Sequence, residues 1–149
     1  KLIVTNGDQT DTIWEGLKSG KSFSEALTTR EFEPDGPNFT PRISGMITFG
    51  DNDFTYEMSI LKSADAEGTA CNRPSLNGLG HFIHTYVCDG NPIPTFQGEP
   101  ERVAIDNDID AFTTGLWNAL DENNKISLYV RYTDLATGES ESRMLNKNA

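Results

Sequence analysis

Metal-binding and disulfide patterns are scarce in this sequence. It contains two cysteines, Cys71 and Cys88, and neither a CxxC pair nor a Cys/His cluster. We therefore expect no metal site and no disulfide framework. Two reduced thiols are the favoured state, with a Cys71–Cys88 disulfide as the alternative. Neither a signal-peptide pattern nor a long apolar run is present, which favours a cytoplasmic protein.

Positive charge is also scarce. Twelve Lys and Arg residues stand against 23 Asp and Glu, so the formal net charge is −11. Nucleic acids and anionic membranes are held by clustered basic side chains, and we expect neither as a partner. The negative charge does not exclude a small phosphorylated ligand, because a few cations and backbone N–H groups can hold one phosphate.

Familiar catalytic motifs are absent as well. The sequence has no G-x-S-x-G, no phosphate-binding P-loop, no dinucleotide fingerprint and no HExxH. What it does have is 149 residues with Trp14, Trp117, eight Phe and alternating apolar runs. That is enough for one domain with its own core. We expect a single domain over residues 1–149 without an internal linker.

Apolar periodicity and turn residues predict the elements along the chain. In order they are a strand at 1–5, a helix capped by Asp8 or Thr10, a short helix with a Ser22–Glu25 capping box, a loop at 31–42, a hairpin over 42–63, a surface loop at 63–78, a strand at 81–88, a proline-rich loop at 89–100, a short extended piece at 102–105, a helix capped by Asp108 or Asp110, and a hairpin over 125–147. The first helix should bury Ile13, Trp14 and Leu17. Adjacent hairpins with separately grouped helices indicate an α+β fold with antiparallel sheets.

The opening stretch "TNGDQTDTI" places polar residues between a strand and a helix. Asn6 and Gly7 form a turn in which glycine can adopt positive φ. Thr10 and Asp11 follow at the helix start, where exposed N–H groups favour anions. The stretch is either a polar anchor for a ligand or an ordinary capped turn.

The loop "EFEPDGPNFTPR" gathers carboxylates between prolines. Glu31, Glu33 and Asp35 precede Arg42, and the prolines fix the backbone around them. Neighbouring carboxylates raise one another's pKa and so become proton donors or acceptors near neutrality. The alternative is a solvated acidic loop that Arg42 neutralises.

Four further side chains are candidates for chemistry. Lys62 ends an apolar strand, where a lysine at the surface is the more common case. His84 and Tyr86 lie two residues apart on one side of the predicted strand at 81–88. His81, three residues before His84, would face the other way, which argues against a shared metal site. For Cys88 a buried inert thiol is favoured over a nucleophile.

Together these motifs resemble one family. The stretches "TNGDQTDTI", "EFEPDGPNFTPRISG", "SILKS", "GHFIHTY" and "DGNPIPTFQGEP" are similar to the inosine monophosphate (IMP) cyclohydrolases of the archaeal type and their bacterial relatives. The most specific elements are N-G-x-x-T-D-T-I, beginning at Asn6, and T-P-R-I, beginning at Thr40. The resemblance implies a layered α-β-β-α sandwich like that of the N-terminal-nucleophile hydrolases. It does not require the terminal nucleophile of those enzymes.

The resemblance also implies a reaction and roles. Formamidoimidazole carboxamide ribonucleotide loses water and becomes IMP, with no cofactor. Glu33 is then the leading acid/base, tuned by Asp35, and Arg42 binds the phosphate or the carboxamide oxygen. The residues expected to contact the rest of the nucleotide are Asn6, Gly7, Thr10, Asp11, Lys62, His84 and Tyr86.

One departure from the family bears on the whole assignment. Its members carry an amino-terminal portion before this region, so we expect the chain to be the carboxy-terminal portion of a longer domain. Open strand edges should then favour a homo-oligomer or pairing with the missing segment. The rival functions are a non-catalytic purine-nucleotide-binding module, a hydrolase using Cys88 or a hydroxyl, and an interaction domain.

Overall fold

The computed structural model describes residues 1–64, the backbone of Thr69–Pro74, and residues 78–148. Its elements, in chain order, are β1 (Leu2–Thr5), α1 (Gln9–Lys18), α2 (Phe23–Leu27), β2 (Arg42–Phe49), β3 (Phe54–Leu61), β4 (Thr69–Pro74), β5 (Leu79–Phe82), β6 (Glu101–Ala104), α3 (Ile109–Ala119), β7 (Ser127–Thr133) and β8 (Ser140–Asn146).

Four strands form the main sheet, in the order β1-β2-β3-β4, and every pairing in it is antiparallel. The register places Ile3 beside Met46 and Arg42 beside Leu61. Side chains alternate between the two faces of a strand. Ile3, Arg42, Met46 and Leu61 therefore share one face, which we call the helix face. Residues such as Leu2, Val4 and Ile47 lie on the opposite face, which we call the second face.

The core lies between the helix face and the first two helices. Ile13, Phe23, Leu27, Met46 and Leu61 form one buried cluster, against which Ile3 and Leu17 pack. Helix α2 has the predicted capping box, since the Ser22 hydroxyl accepts from the Glu25 N–H and the Glu25 carboxylate accepts from the Ser22 N–H. The prediction that Trp14 is buried was wrong, because the residue is 55% exposed. The helices also pack on each other, and α1 buries Gly16 towards Ala26.

Two hairpins and one helix make up the rest of the described chain. β5 pairs with β6, β7 pairs with β8, and α3 contacts both β7 and β8. The Asp108 carboxylate caps α3 by accepting from the N–H groups of Asp110 and Ala111, as one of the two predicted caps.

Two predictions of secondary structure were wrong. The stretch 63–78 contains a strand, β4, which pairs with β3. The polar composition of this stretch concealed a strand whose pairing partner supplies the ladder. The strand expected at 81–88 is limited to Leu79–Phe82 in β5, and Tyr86 forms an isolated bridge with Thr95.

The fold is thus mixed α and β with antiparallel sheets, as the sequence predicted. In the part of the chain that the structure describes, none of the helices has the length and apolar character needed to cross a membrane.

Candidate functional site

Arg42 is the centre of a dense polar cluster. It is the first residue of β2, on the helix face, and its side chain is 11% exposed. Its Nη1 lies 2.8 Å from Glu33 Oε1, and its Nη2 donates to Glu33 Oε2 at 3.0 Å. The first contact is an ion pair and the second a hydrogen bond between two charged groups, which is stronger than one between neutral groups. Nη1 also bonds the Asp8 carboxylate.

Asp8 connects this cluster to the start of α1. It occupies the N-cap position, but its carboxylate is turned towards arginines and accepts no cap hydrogen bond. Arg30 donates to it from Nη1 at 3.2 Å, while Arg30 Nε donates to Thr12 at 2.8 Å. Partial desolvation raises the pKa of Asp8, but the charges of Arg42 and Arg30 outweigh it, and the pKa is lowered from 3.8.

Gly7 lets Arg42 and Gln9 approach the turn. A Cβ at this position would lie 2.7 Å from Gln9 Oε1, 3.0 Å from Arg42 Nη1 and 3.3 Å from Glu33 Oε1. The expectation of positive φ was wrong, because the described glycines with positive φ are Gly20, Gly78 and Gly138. Glycine is needed here for the space that a side chain would take.

Asn6 and Gln9 fasten the turn to the start of β2. The Asn6 side chain donates to Pro41 O at 3.1 Å and accepts from Ile43 N at 2.8 Å. Gln9 is fully buried, and its Nε2 donates to Ile43 O at 3.0 Å and Ser44 Oγ at 3.2 Å. Asn6 therefore positions the backbone of the T-P-R-I stretch.

Thr10 and Asp11 lie exposed at the start of α1. The Thr10 hydroxyl is 2.5 Å from that of Thr5 at the end of β1. Asp11 adds an acidic side chain to the first helical turn. Contact of these two residues with a nucleotide stays a prediction.

Asp35 makes a second polar chain beside Arg42. Its Oδ1 accepts from Thr40 N at 2.7 Å and its Oδ2 from Thr40 Oγ1 at 2.5 Å. These two bonds, led by the hydroxyl, lower the pKa of Asp35 from 3.8. The expected raised pKa is therefore wrong for Asp35, because its carboxylate faces hydrogen-bond donors. The Tyr86 hydroxyl extends the chain, 3.2 Å from Thr40 Oγ1.

His84 lies between aromatic rings. Its ring centroid is 4.9 Å from that of Phe82 and 3.9 Å from that of Phe96. Its Nδ1 is 2.7 Å from Tyr86 O and must be the donor, since a carbonyl oxygen only accepts. Its Nε2 is buried and has no hydrogen-bond partner among the described residues. His84 and Tyr86 are thus linked through the backbone, outside any continuous strand.

Lys62 and Cys88 differ from the sequence expectations. Lys62 is 3% exposed and pairs with Glu99 at 3.0 Å, where a surface lysine was the ordinary expectation. Cys88 carries a free thiol and is exposed, so the buried thiol was wrong. The side chain of Cys71 lies outside the described residues. Within the described residues, no group of three or more His, Cys, Asp or Glu is arranged to hold a metal ion.

Sequence reasoning missed three members of the Arg42 cluster: Arg30, Gln9 and Asp8 beyond its capping position. Asp8 is 34 residues from Arg42, and Arg30 is 22 residues from Asp8. The signal that could have found them is the shortage of cations. The chain has few cations, and two of them, Arg30 and Arg42, flank the carboxylates of the loop at 31–42. This placement indicates that each arginine pairs with a particular carboxylate.

The second face carries an apolar cavity of about 480 Å³. The main sheet contributes Leu2, Val4, Gly45, Ile47, Phe54, Tyr56 and Met58, among others, and the β5–β6 region contributes Leu79, His81 and Ile105. His81 Nδ1 lies 2.5 Å from the Tyr56 hydroxyl at this cavity. None of the predicted site residues lines it.

The protein is thus an antiparallel α+β domain in which a cluster of charged and polar side chains lies at the start of α1. The model of the IMP cyclohydrolase-like protein family matches residues 1–139, and the chain belongs to this family. The resemblance drawn from the sequence motifs is thereby confirmed. No curated protein and no solved structure gives a significant match. Membership in the family suggests a role in purine biosynthesis.

Proposed function

We propose that the Arg42 cluster is part of a purine-ribonucleotide site at which the purine ring of IMP is closed. The substrate is formamidoimidazole carboxamide ribonucleotide. We call the turn and helix start at residues 6–12 the helix mouth, and the loop at residues 31–42 the proline-braced loop. One observation carries the proposal: Arg42 bonds Asp8 of the helix mouth and Glu33 of the proline-braced loop. The two segments that bear the family motifs thus meet at one side chain. The family match over residues 1–139 supports the same reaction.

The reaction needs orientation and proton transfer. The carboxamide nitrogen attacks the formyl carbon of the same molecule, and a carbon–nitrogen bond forms as the formyl oxygen gains negative charge. The oxygen is protonated and leaves as water, while the two nitrogens on that carbon lose one proton each. A site must hold the two groups together, stabilise the oxygen and exchange protons.

The geometry favours distinct roles for the two charged residues. Glu33 is a carboxylate and is half-buried, so it serves as the proton acceptor for the attacking nitrogen. Arg42 presents a planar set of donors that suits a phosphate or the developing oxyanion. Asp35 has an indirect role. It holds the Thr40 hydroxyl in place, and Thr40 in turn positions the Tyr86 hydroxyl.

The remaining predicted contacts fit this arrangement to different degrees. Gly7 leaves space at the helix mouth, and Thr10 and Asp11 are exposed beside it. Asn6 supports the T-P-R-I backbone, and His84 contributes through its bond to Tyr86 O. We propose Gly7, Thr10, Asp11 and Tyr86 as the nucleotide contacts of this group.

We propose further that the architecture is the α-β-β-α sandwich of the N-terminal-nucleophile hydrolase type, in a longer domain or a homo-oligomer. Helices α1 and α2 cover one face of the main sheet, and the β5–β6 region approaches the other. Val4 in the terminal strand β1 is 63% exposed beside the cavity, which leaves apolar surface for further polypeptide. The free thiol of Cys88 fits the reducing cytoplasm.

A non-catalytic nucleotide-binding module is the second candidate. Arg42 is paired with two carboxylates, Asp8 and Glu33, so its charge is already compensated. A cluster in this paired state can bind a nucleotide without turning it over. Binding and ring closure must therefore be measured on the same preparation.

Glu33→Gln tests the proposal directly. It preserves size and one acceptor oxygen but removes the base, and general-base loss costs about 10²–10⁴-fold in turnover. We expect turnover to fall by that range while nucleotide binding, measured as a shift in Tm, persists. Glu31→Gln, two residues away, is the matched control. Full turnover in Glu33→Gln removes Glu33 from the mechanism, and binding without turnover in the wild type favours the binding module.

A further inference from the structure

Lys62 makes an unusual set of bonds for a lysine in an acidic, highly polar protein. Its Nζ donates to Gln97 O, Gly98 O and Glu99 Oε1, each at 3.0 Å. An ammonium has three N–H donors, and these three acceptors match them. Burying an ammonium is costly unless it is paired and hydrogen-bonded, and these three bonds offset that cost.

Gln97 reinforces the same contact from the loop side. Its Oε1 accepts from Ala64 N at 3.2 Å, and its Nε2 donates to Thr95 Oγ1 at 2.9 Å. Lys62 and Ala64 both follow β3, so the end of this strand holds the segment 95–99 at two points. We call these bonds the Lys62 clasp.

The clasped segment continues into a short hairpin at 85–96, which we call the Tyr86 hairpin. Phe96 N donates to Thr85 O at 2.8 Å, and Val87 N donates to Pro94 O at 2.9 Å. Tyr86 faces Thr95 across it. Phe96 also packs on the His84 ring. Because the strands of the hairpin are this short, its position depends on contacts outside it.

The far side of the Tyr86 hairpin touches the proline-braced loop at two points. The Tyr86 hydroxyl lies 3.2 Å from Thr40 Oγ1, and Ile93 N donates to Asn38 Oδ1 at 3.2 Å. The Thr40 hydroxyl proton is used for Asp35, so Tyr86 is the donor to Thr40. This leaves the lone pairs of the Tyr86 oxygen to accept from an N–H group of a ligand.

We propose that Lys62 is a positioning residue: its clasp on residues 97–99 holds the Tyr86 hairpin against the proline-braced loop, and so sets where the Tyr86 hydroxyl meets the substrate. The inference rests on the proposed function for the substrate, but the clasp itself does not depend on it. It replaces the expectation that Lys62 contacts the nucleotide directly, because its ammonium is bonded to residues 97–99 and buried there.

Lys62→Met tests the clasp in the absence of any ligand. The variant keeps the length of the side chain and removes the charge. We expect hydrogen exchange of the Val87 and Phe96 amides, followed by NMR, to become about tenfold faster or more, because the hairpin opens locally. The amides of β7 and β8 should be unchanged. In ring closure, kcat should fall more than KM rises, and Lys62→Arg should restore part of both readouts.

Lys125→Met is the matched control. The side chain of Lys125 is also largely covered, at 6% exposed, with its Nζ 2.5 Å from Glu122 Oε2 and its hydrogen bond to Trp117 O at 3.3 Å. Its partners belong to the end of α3 and the turn that follows. We expect this variant to lower Tm without changing exchange at Val87 or Phe96.

The following results would overturn the positioning role of Lys62 or separate it from the proposed reaction. Unchanged exchange at Val87 and Phe96 in Lys62→Met, together with weaker nucleotide binding, overturns the inference and makes Lys62 a ligand contact. If Lys62→Met does not fold, Glu99→Ala removes one acceptor of the clasp and should accelerate the same amides about threefold; no acceleration there overturns the inference too. If the wild type binds nucleotide without ring closure, the exchange data still judge the clasp, and only the proposed reaction fails.

Discussion

The two faces of the main sheet differ in how they are completed. On the helix face, Met46 is buried with Ile13 and Phe23, and Arg42 is bonded to residues of α1 and of the loop at 31–42. On the second face, Val4 is exposed and an apolar cavity of about 480 Å³ remains. Neighbouring residues of one strand therefore lie in different environments.

The two faces differ in which segments of the chain cover them. Local segments that follow β1 directly, α1 and α2, cover the helix face and bring polar side chains to its edge. The second face is approached by the distant β5–β6 region and keeps open apolar surface. A face of this kind fits another protein surface better than it fits a phosphorylated ligand. We therefore propose that chemistry takes place on the helix face and association on the second face.

The largest effect should come from truncating side chains on either side of β2. Met46 is 2% exposed, and its neighbour Ile47 is half-buried at the cavity. Met46→Ala should lower the free energy of unfolding by about 2–5 kcal/mol, the range for buried large-to-small changes. Ile47→Ala should cost about 1 kcal/mol, because less contact is lost. Denaturant titration measures both, and equal losses would mean that the second face is covered as well as the first.

Two glycines give the next comparison. Gly7→Ala places a methyl group 2.7 Å from Gln9 Oε1, and Gln9 is fully buried, so we expect a loss of about 1–3 kcal/mol and impaired nucleotide binding. Gly45 lines the cavity, and a Cβ there meets nothing within 4 Å. Gly45→Ala should be neutral or stabilising by about 0.4–1 kcal/mol. A stable Gly7→Ala protein with normal binding would show that Arg42 does not need its present position.

The smallest effect concerns acid stability. The pKa of Asp35 is lowered by the Thr40 hydroxyl and N–H, so the folded state binds its proton more weakly than the unfolded state. Its contribution is present above the unfolded value, near 3.8, and is lost as pH falls through the lower folded value. Asp35→Asn should therefore flatten the fall in the urea midpoint as the pH drops below about 4.

Thr40→Val is the partner variant for this test. This substitution removes the hydroxyl bond to Asp35. It should therefore flatten the fall in the urea midpoint at low pH, but by less than Asp35→Asn does. The double variant should add nothing beyond Asp35→Asn, because both changes act on one interaction. Additive effects would place the acid sensitivity elsewhere, in carboxylates such as Asp8 whose pKa is also lowered.

Local elements were predictable from the sequence because local signals determine them. The Ser22–Glu25 capping box, the Asp108 cap and the two long hairpins need only neighbouring residues. Trp14 was predicted wrongly because helical spacing places it near the apolar side of α1, while tertiary packing determines which part of that side is covered. Strand β4 was missed because its pairing with β3, rather than its own composition, defines it.

The candidate site was predictable in its members more than in their roles. The motifs containing Asn6 and Arg42 indicated two candidate segments, and the structure brings these segments into contact. The role of Asp8 was not foreseeable from spacing, since a carboxylate at an N-cap ordinarily accepts from the helix. Likewise, a strand-end lysine ordinarily stays in water, and only the fold places Gln97, Gly98 and Glu99 around Lys62.

The most direct test of the account is an NMR titration of the ¹⁵N-labelled protein with IMP. We expect chemical-shift changes concentrated at the backbone amides of Gly7, Gln9, Glu33, Thr40 and Arg42, with little change at Leu79–His81 and Ile105 on the cavity side. Shifts confined to the cavity side, or no saturable shifts at millimolar IMP, would contradict the claim that the helix mouth and the proline-braced loop form one nucleotide site.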